Sequence, residues 1–136
     1  MKRVTIRVPA TTANLGPGFD AFGCALKLHT DVTFEETEEG LEITGCAEEF
    51  TGPDNLAYES YCAVLASLSE EVRGVKIHID SNIPICRGLG SSAALLVAGT
   101  RIVTRFIFFS LLLMVVLARS AQGSLVQREL SCEQHD

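Results

Sequence analysis

The sequence predicts a mixed α+β fold, and three observations carry that prediction. Apolar and polar residues alternate over Val4–Val8 and again over Val75–Asp80, the two-residue period of half-buried strands. Between them, Leu56, Tyr61, Cys62, Leu65 and Leu68 fall on one face at helical spacing. A glycine loop then separates the second strand from a run of helix formers, Ala93–Val97. At 136 residues the chain can bury one modest core, and two full domains are not expected.

Composition removes several function classes. A formal charge of −6 gives no basic stripe for a nucleic-acid partner. It does not oppose phosphate binding, because backbone amides at a helix start act locally. The five cysteines are scattered with no Cys-x-x-Cys pair, so neither a zinc site nor a disulfide framework follows. Lys2 and Arg3 are followed by alternation rather than an apolar stretch, and the start reads as that of a cytoplasmic protein.

In order along the chain, Val4, Ile6 and Val8 make a strand that is expected to stop at Pro9. Asn14, Gly16, Pro17, Gly18 and Asp20 mark a tight loop. Ala21–Leu28 continues as a strand or bend. Thr30–Glu35 and Leu41–Gly45 alternate around the acidic Glu36–Gly40, which predicts a solvated hairpin; His29 beside Asp31 reads as a surface histidine. Gly52 and Pro53 precede the helix, with Asp54 or Asn55 as its cap. Ser69–Gly74 leads back to the strand before the glycine loop.

That loop comprises Pro84, Ile85, Cys86, Arg87, Gly88, Leu89, Gly90, Ser91, Ser92, Ala93 and Ala94. It lacks the lysine of a P-loop after its last glycine, and the third glycine of a dinucleotide fingerprint. On physics alone it is either a turn before a helix capped by Ser91, or a phosphate site. Glycines let the backbone approach a ligand, and a helix starting at Ser91 or Ser92 aims its unpaired N–H groups at it.

The eleven-residue string resembles the nucleotide loop of the GHMP kinases at every defining position. The resemblance implies ATP phosphates wrapped by loop amides, with Ser92, or else Ser91, helping to hold Mg2+. Residues 9–20, running from Pro9 through Asn14 to Asp20, resemble the opening segment of the homoserine kinases within that family. Asn14 and Asp20 thereby inherit contact with the substrate L-homoserine, Asp20 holding its hydroxyl near the γ-phosphate as a candidate catalytic base. Pro53–Leu56 is similar to a further segment of those enzymes and brings Asn55 towards the adenine, although a cap at a helix start explains that asparagine equally well. The implied fold is the amino-terminal half of a GHMP kinase, related to the second domain of ribosomal protein S5, with the carboxy-terminal half absent.

The resemblance divides the chain into residues 1–100 and an off-pattern tail, 101–136. No acidic residue occurs between Asp80 and Glu129, so a magnesium-holding glutamate implied by the resemblance has no counterpart. Phe106–Ala118 is apolar apart from Ser110 and too short for a bilayer span of about 20 residues. A shifted reading frame or spliced terminus would produce such a tail. The expectation is a homoserine kinase-like ATP-dependent enzyme of threonine biosynthesis, truncated and impaired in this form. A GHMP kinase with another acceptor, or a non-catalytic anion-binding or membrane-associated fragment, stands beside it, and a homodimer is left open.

Overall fold

Met1–Val103 forms one compact unit, and the computed structural model describes residues 3–18, 21–72 and 74–104. Asp20 and the apolar run 106–118 lie outside the described residues. The strands are β1 (Val4–Thr12), β2 (Cys24–Thr37), β3 (Leu41–Thr44) and β4 (Gly74–Ser81); α1 is Leu56–Ser67, and residues 91–104 are helical and form α2. The four strands make one sheet in the order β1-β2-β4-β3.

β4 takes the central place because its alternation is the most apolar: Val75, Ile77 and Ile79 are all buried. It pairs antiparallel with β2 and parallel with β3. The hairpin expected around Glu36–Gly40 is therefore not formed. β2 and β3 do run in opposite directions, but β4 lies between them, with the Val75 amide donating to the Gly40 carbonyl at 2.9 Å. Local turn chemistry chose the right bend and the wrong neighbour, since a four-residue strand can pair with any strand that buries Ile43.

β1 also differs from expectation in running through Pro9, which pairs with His29. Proline lacks a ladder donor, but β1 is an edge strand, where that loss is tolerated. Its register shifts between Pro9 and Thr11, and pairing resumes at Thr11 with Ala25. The extra residues lie on β2, which passes from His29 to Ala25 while β1 passes from Pro9 to Thr11; such bulges bend the strand that carries them.

Both helices contribute to the core on one sheet face. Phe34 on β2 is fully buried, with its ring 5.9 Å from that of Tyr61 on α1. Ala94, Ala98 and Ile102 of α2 are buried with them. Within α1 the buried residues are Ala57, Ser60 and Tyr61; of the larger residues expected there, only Tyr61 is buried and Leu68 is exposed. Small side chains line the inner face because Gly99 of α2 comes so close that an added methyl would collide with the Ser60 hydroxyl and the Ala57 carbonyl. Asn55, not Asp54, caps α1: its side-chain oxygen accepts from the Ala57 amide at 3.0 Å and its side-chain nitrogen donates to the Phe50 carbonyl at 2.8 Å.

The opposite sheet face is polar. Arg7 donates twice to Asp31 across β1 and β2, at 2.8 and 2.6 Å. Lys76 meets Glu42 at 2.8 Å, and the Thr44 hydroxyl and His78 Nδ1 share a hydrogen bond of 2.9 Å. The hydrogen bond from Arg7 holds the Asp31 carboxyl below its ordinary value of 3.8. A depressed carboxylate stabilises the fold above its unfolded value, and that stability is lost as pH falls through the depressed folded value. The wild type should therefore melt slightly above Arg7→Gln at neutral pH, by a few degrees at most because the pair is exposed. The two melting curves should converge as the pH drops below 3.8. Parallel curves down to the acid limit would remove the ion pair as the cause.

Candidate functional site

β4 ends at Ser81, whose hydroxyl bonds that of Thr30 at 2.6 Å and accepts from the Ile83 amide at 3.2 Å. Ile83 is buried, so the chain enters the loop from a fixed point. Beyond it, φ is +57° at Cys86, +70° at Gly88 and +72° at Gly90. Arg87 and Leu89 between them are not left-handed. Alternation of this kind turns successive amides to one side and makes a concavity for anions. Cys86 bears a side chain in that region; such positions cost about 1–3 kcal/mol and cluster at functional sites.

α2 starts where the loop ends. The Ala94 amide donates to the Gly90 carbonyl at 2.9 Å, so Gly90 occupies the cap position and Ser91 is the first helical residue. Ser91 is thus not the N-cap. A glycine cap offers no side-chain acceptor, and among the described residues no side chain accepts from the Ser91, Ser92 or Ala93 amides. A helix start alone contributes about 0.3–1 kcal/mol to holding an anion. The loop amides are needed to make a site of useful strength.

The two sequence motifs meet here. The Thr11 amide donates to the Leu89 carbonyl at 3.1 Å, and a methyl on Gly90 would lie 2.7 Å from the Thr11 hydroxyl oxygen and 2.9 Å from its carbonyl oxygen. Between them lies a cleft of about 440 Å³, lined by residues 11–13, residues 23–25, Gly88 and Gly90. Among the described residues, no three His, Cys, Asp or Glu side chains converge on a point that could hold a metal ion.

The remaining candidates sort by burial. Pro84, Ile85, Arg87, Ser92 and Ala93 are exposed, and Leu89 and Ser91 half-buried. Ala94 cannot touch a ligand: it is buried in the core and its amide is taken by Gly90. Asn55 is buried too, with both ends of its side chain bound to its own segment. Asn14 is exposed at the loop after β1, its amide donating to the Thr12 hydroxyl at 3.2 Å. Sequence reasoning missed the cleft wall at residues 23–25. Nothing in its small side chains distinguishes it; only the pairing of Thr11 with Ala25 places it there.

A mixed sheet whose central strand feeds a left-handed glycine loop and an open helix start presents a concavity of backbone amides suited to an anion. The family of the GHMP kinases N terminal domain matches residues 55–127, and the chain belongs to it. The chain is 46% identical over 96 residues to a homoserine kinase of Clostridium botulinum, covering 71% of this chain and 32% of that protein. Among solved structures it is similar to homoserine kinase from Cytophaga hutchinsonii, with a TM-score of 0.63 and 31% identity over 73% of this chain and 33% of that one. A mevalonate kinase of Methanococcus jannaschii shares the fold with a TM-score of 0.60 at 22% identity, over 78% of this chain and 41% of that one. The chain spans about a third of the length of the curated relatives it matches. Among the described residues no helix is long and apolar enough to cross a membrane.

Proposed function

We propose that this chain carries the ATP-phosphate and acceptor loops of a cytoplasmic homoserine kinase, which transfers the γ-phosphoryl group of ATP to the L-homoserine hydroxyl in threonine biosynthesis. The observation that carries the proposal is the hydrogen bond from Thr11 to Leu89, which ties the segment resembling the homoserine-kinase opening to the glycine loop. The likeness to homoserine kinases supports the choice of acceptor.

In this reading the amides of Gly88–Ser92 hold the phosphates, and α2 adds the field of its N-terminus. The glycine loop fits such a ligand: Gly88 is open to solvent, and the space a side chain would take at Gly90 faces Thr11. One hydroxyl of Ser92 or Ser91 adds an oxygen to Mg2+ carried by the phosphates. Asn14 and Asp20 contact homoserine, Asp20 orienting its hydroxyl and accepting the proton as the oxygen attacks phosphorus. Phosphoryl transfer depends on such positioning and on electrostatic stabilisation more than on covalent chemistry by the protein.

The test is calorimetry of ATP binding to the whole chain, with and without Mg2+ and homoserine, beside a circular-dichroism melt. Magnesium-dependent ATP binding that homoserine strengthens is the expected result. Cooperative melting with no ATP binding would overturn the reading.

A further inference from the structure

We infer that the Thr11 hydroxyl is a phosphate-contacting group, so that β1 itself supplies one donor to the nucleotide site; this rests on the proposed nucleotide-binding role of the glycine loop. Three observations converge on it. The register shift between Pro9 and Thr11 puts its extra residues on β2, so that Thr11 pairs with Ala25, and the alternation of β1 carries through to an exposed Thr11 that lines the cleft with residues 23–25. Thr11 stands against Gly90, close enough that any side chain on that glycine would fill the space beside its hydroxyl. Among the described residues nothing hydrogen-bonds that hydroxyl.

Its neighbour makes the contrast. Thr12 also lines the cleft, but its hydroxyl accepts from the Asn14 amide and so holds the turn. Thr11 holds the loop through its backbone, by the bond to Leu89, which leaves its side chain available to a ligand in the concavity of Gly88 and Gly90. A neutral donor complements the backbone amides there, and a hydrogen bond to a charged oxygen is stronger than one between neutral groups. Because residues 12–18 follow directly, phosphate seated on Thr11 also fixes the start of the acceptor loop.

The test compares wild type, Thr11→Val and Thr11→Ser in the whole chain by calorimetry with Mg2+-ATP, inorganic tripolyphosphate and adenosine. Thr11→Val keeps the shape and removes the donor. It should weaken ATP and tripolyphosphate by about tenfold or more and leave adenosine binding and the melting temperature unchanged. Thr11→Ser should restore affinity to within about twofold of wild type. Equal affinity in wild type and Thr11→Val would overturn the inference while leaving nucleotide binding standing. So would a Thr11→Ser variant as weak as Thr11→Val, which would assign the effect to the lost methyl. A wild type that binds neither ATP nor tripolyphosphate would overturn the nucleotide reading and this inference together. Should Thr11→Val fail to fold, Thr11→Ala against Thr11→Ser makes the same comparison.

Discussion

Gly90→Ala should lower the affinity of the chain for Mg2+-ATP by on the order of a hundredfold, while Gly88→Ala lowers it by about tenfold. Both glycines are left-handed, with φ of +72° and +70°. An L side chain in that conformation costs about 1–2 kcal/mol. At Gly88 that is the whole penalty, because nothing lies within 4 Å of an added methyl. At Gly90 the methyl also meets the hydroxyl and carbonyl oxygens of Thr11 at 2.7 and 2.9 Å. The hydroxyl can rotate away; the carbonyl belongs to the strand and cannot. Overpacking of this kind adds about 1–3 kcal/mol. The loop escapes by leaving its competent conformation, and apparent affinity falls with the competent fraction. Asparagine separates the two causes, since it tolerates left-handed φ better than alanine. Gly88→Asn should recover most of its affinity and Gly90→Asn none. Equal losses at 88 and 90, read by calorimetry, would show that the contact with Thr11 is not what constrains the loop.

That contrast also marks what could be read in the sequence. The glycine loop, the strand before it, the helix after it and the cap of α1 were legible, because each is fixed by residues within a few positions of one another. The sequence marks Gly90 as a place where the backbone can approach a ligand; it does not show that the intimate neighbour of Gly90 is Thr11, because the two lie on different elements and meet only after β2 has paired with both β1 and β4. The hairpin fails for the same reason. Leu41–Thr44 carries enough alternation to be a strand, yet nothing local says that β4, arriving some thirty residues later, will insert beside it. Pro9 reads as a stop because a missing amide ends an interior strand, and nothing local says that β1 sits at an edge. In α1 the large apolar residues drew attention, whereas the contact with α2 is made where side chains are smallest. Of the candidate site, the glycine-loop wall is visible in the motif. The cleft wall at residues 23–25 depends on register and left no mark in composition.

The second large effect is expected at that helix contact. Gly99→Val should destabilise the fold by about 3 kcal/mol or more, and Gly99→Ala by about 1–3 kcal/mol. Intrinsic helix propensity points the other way, since alanine is favoured over glycine by about 1 kcal/mol in a helix interior. Sterics decide the sign: a methyl at position 99 falls inside contact distance of the Ser60 hydroxyl and the Ala57 carbonyl, and 3.0 Å from the Tyr61 amide. Two of those three groups are backbone. The third is held in place, because the Ser60 hydroxyl is folded back onto its own helix, donating to the Leu56 carbonyl at 2.8 Å. The helices must therefore separate, and separation opens the layer holding Ala57, Tyr61, Ala98 and Ile102. For a module of about a hundred residues, each kcal/mol lowers the melting temperature by about 4–8 °C, so circular dichroism will resolve even the alanine variant. Adding Ser60→Gly to Gly99→Ala should recover only a minor part of the loss, because the Ala57 carbonyl still blocks the methyl. Full recovery would show that the serine alone sets the spacing, and a Gly99→Ala chain as stable as wild type would show that the helices tolerate a wider separation than their contact implies.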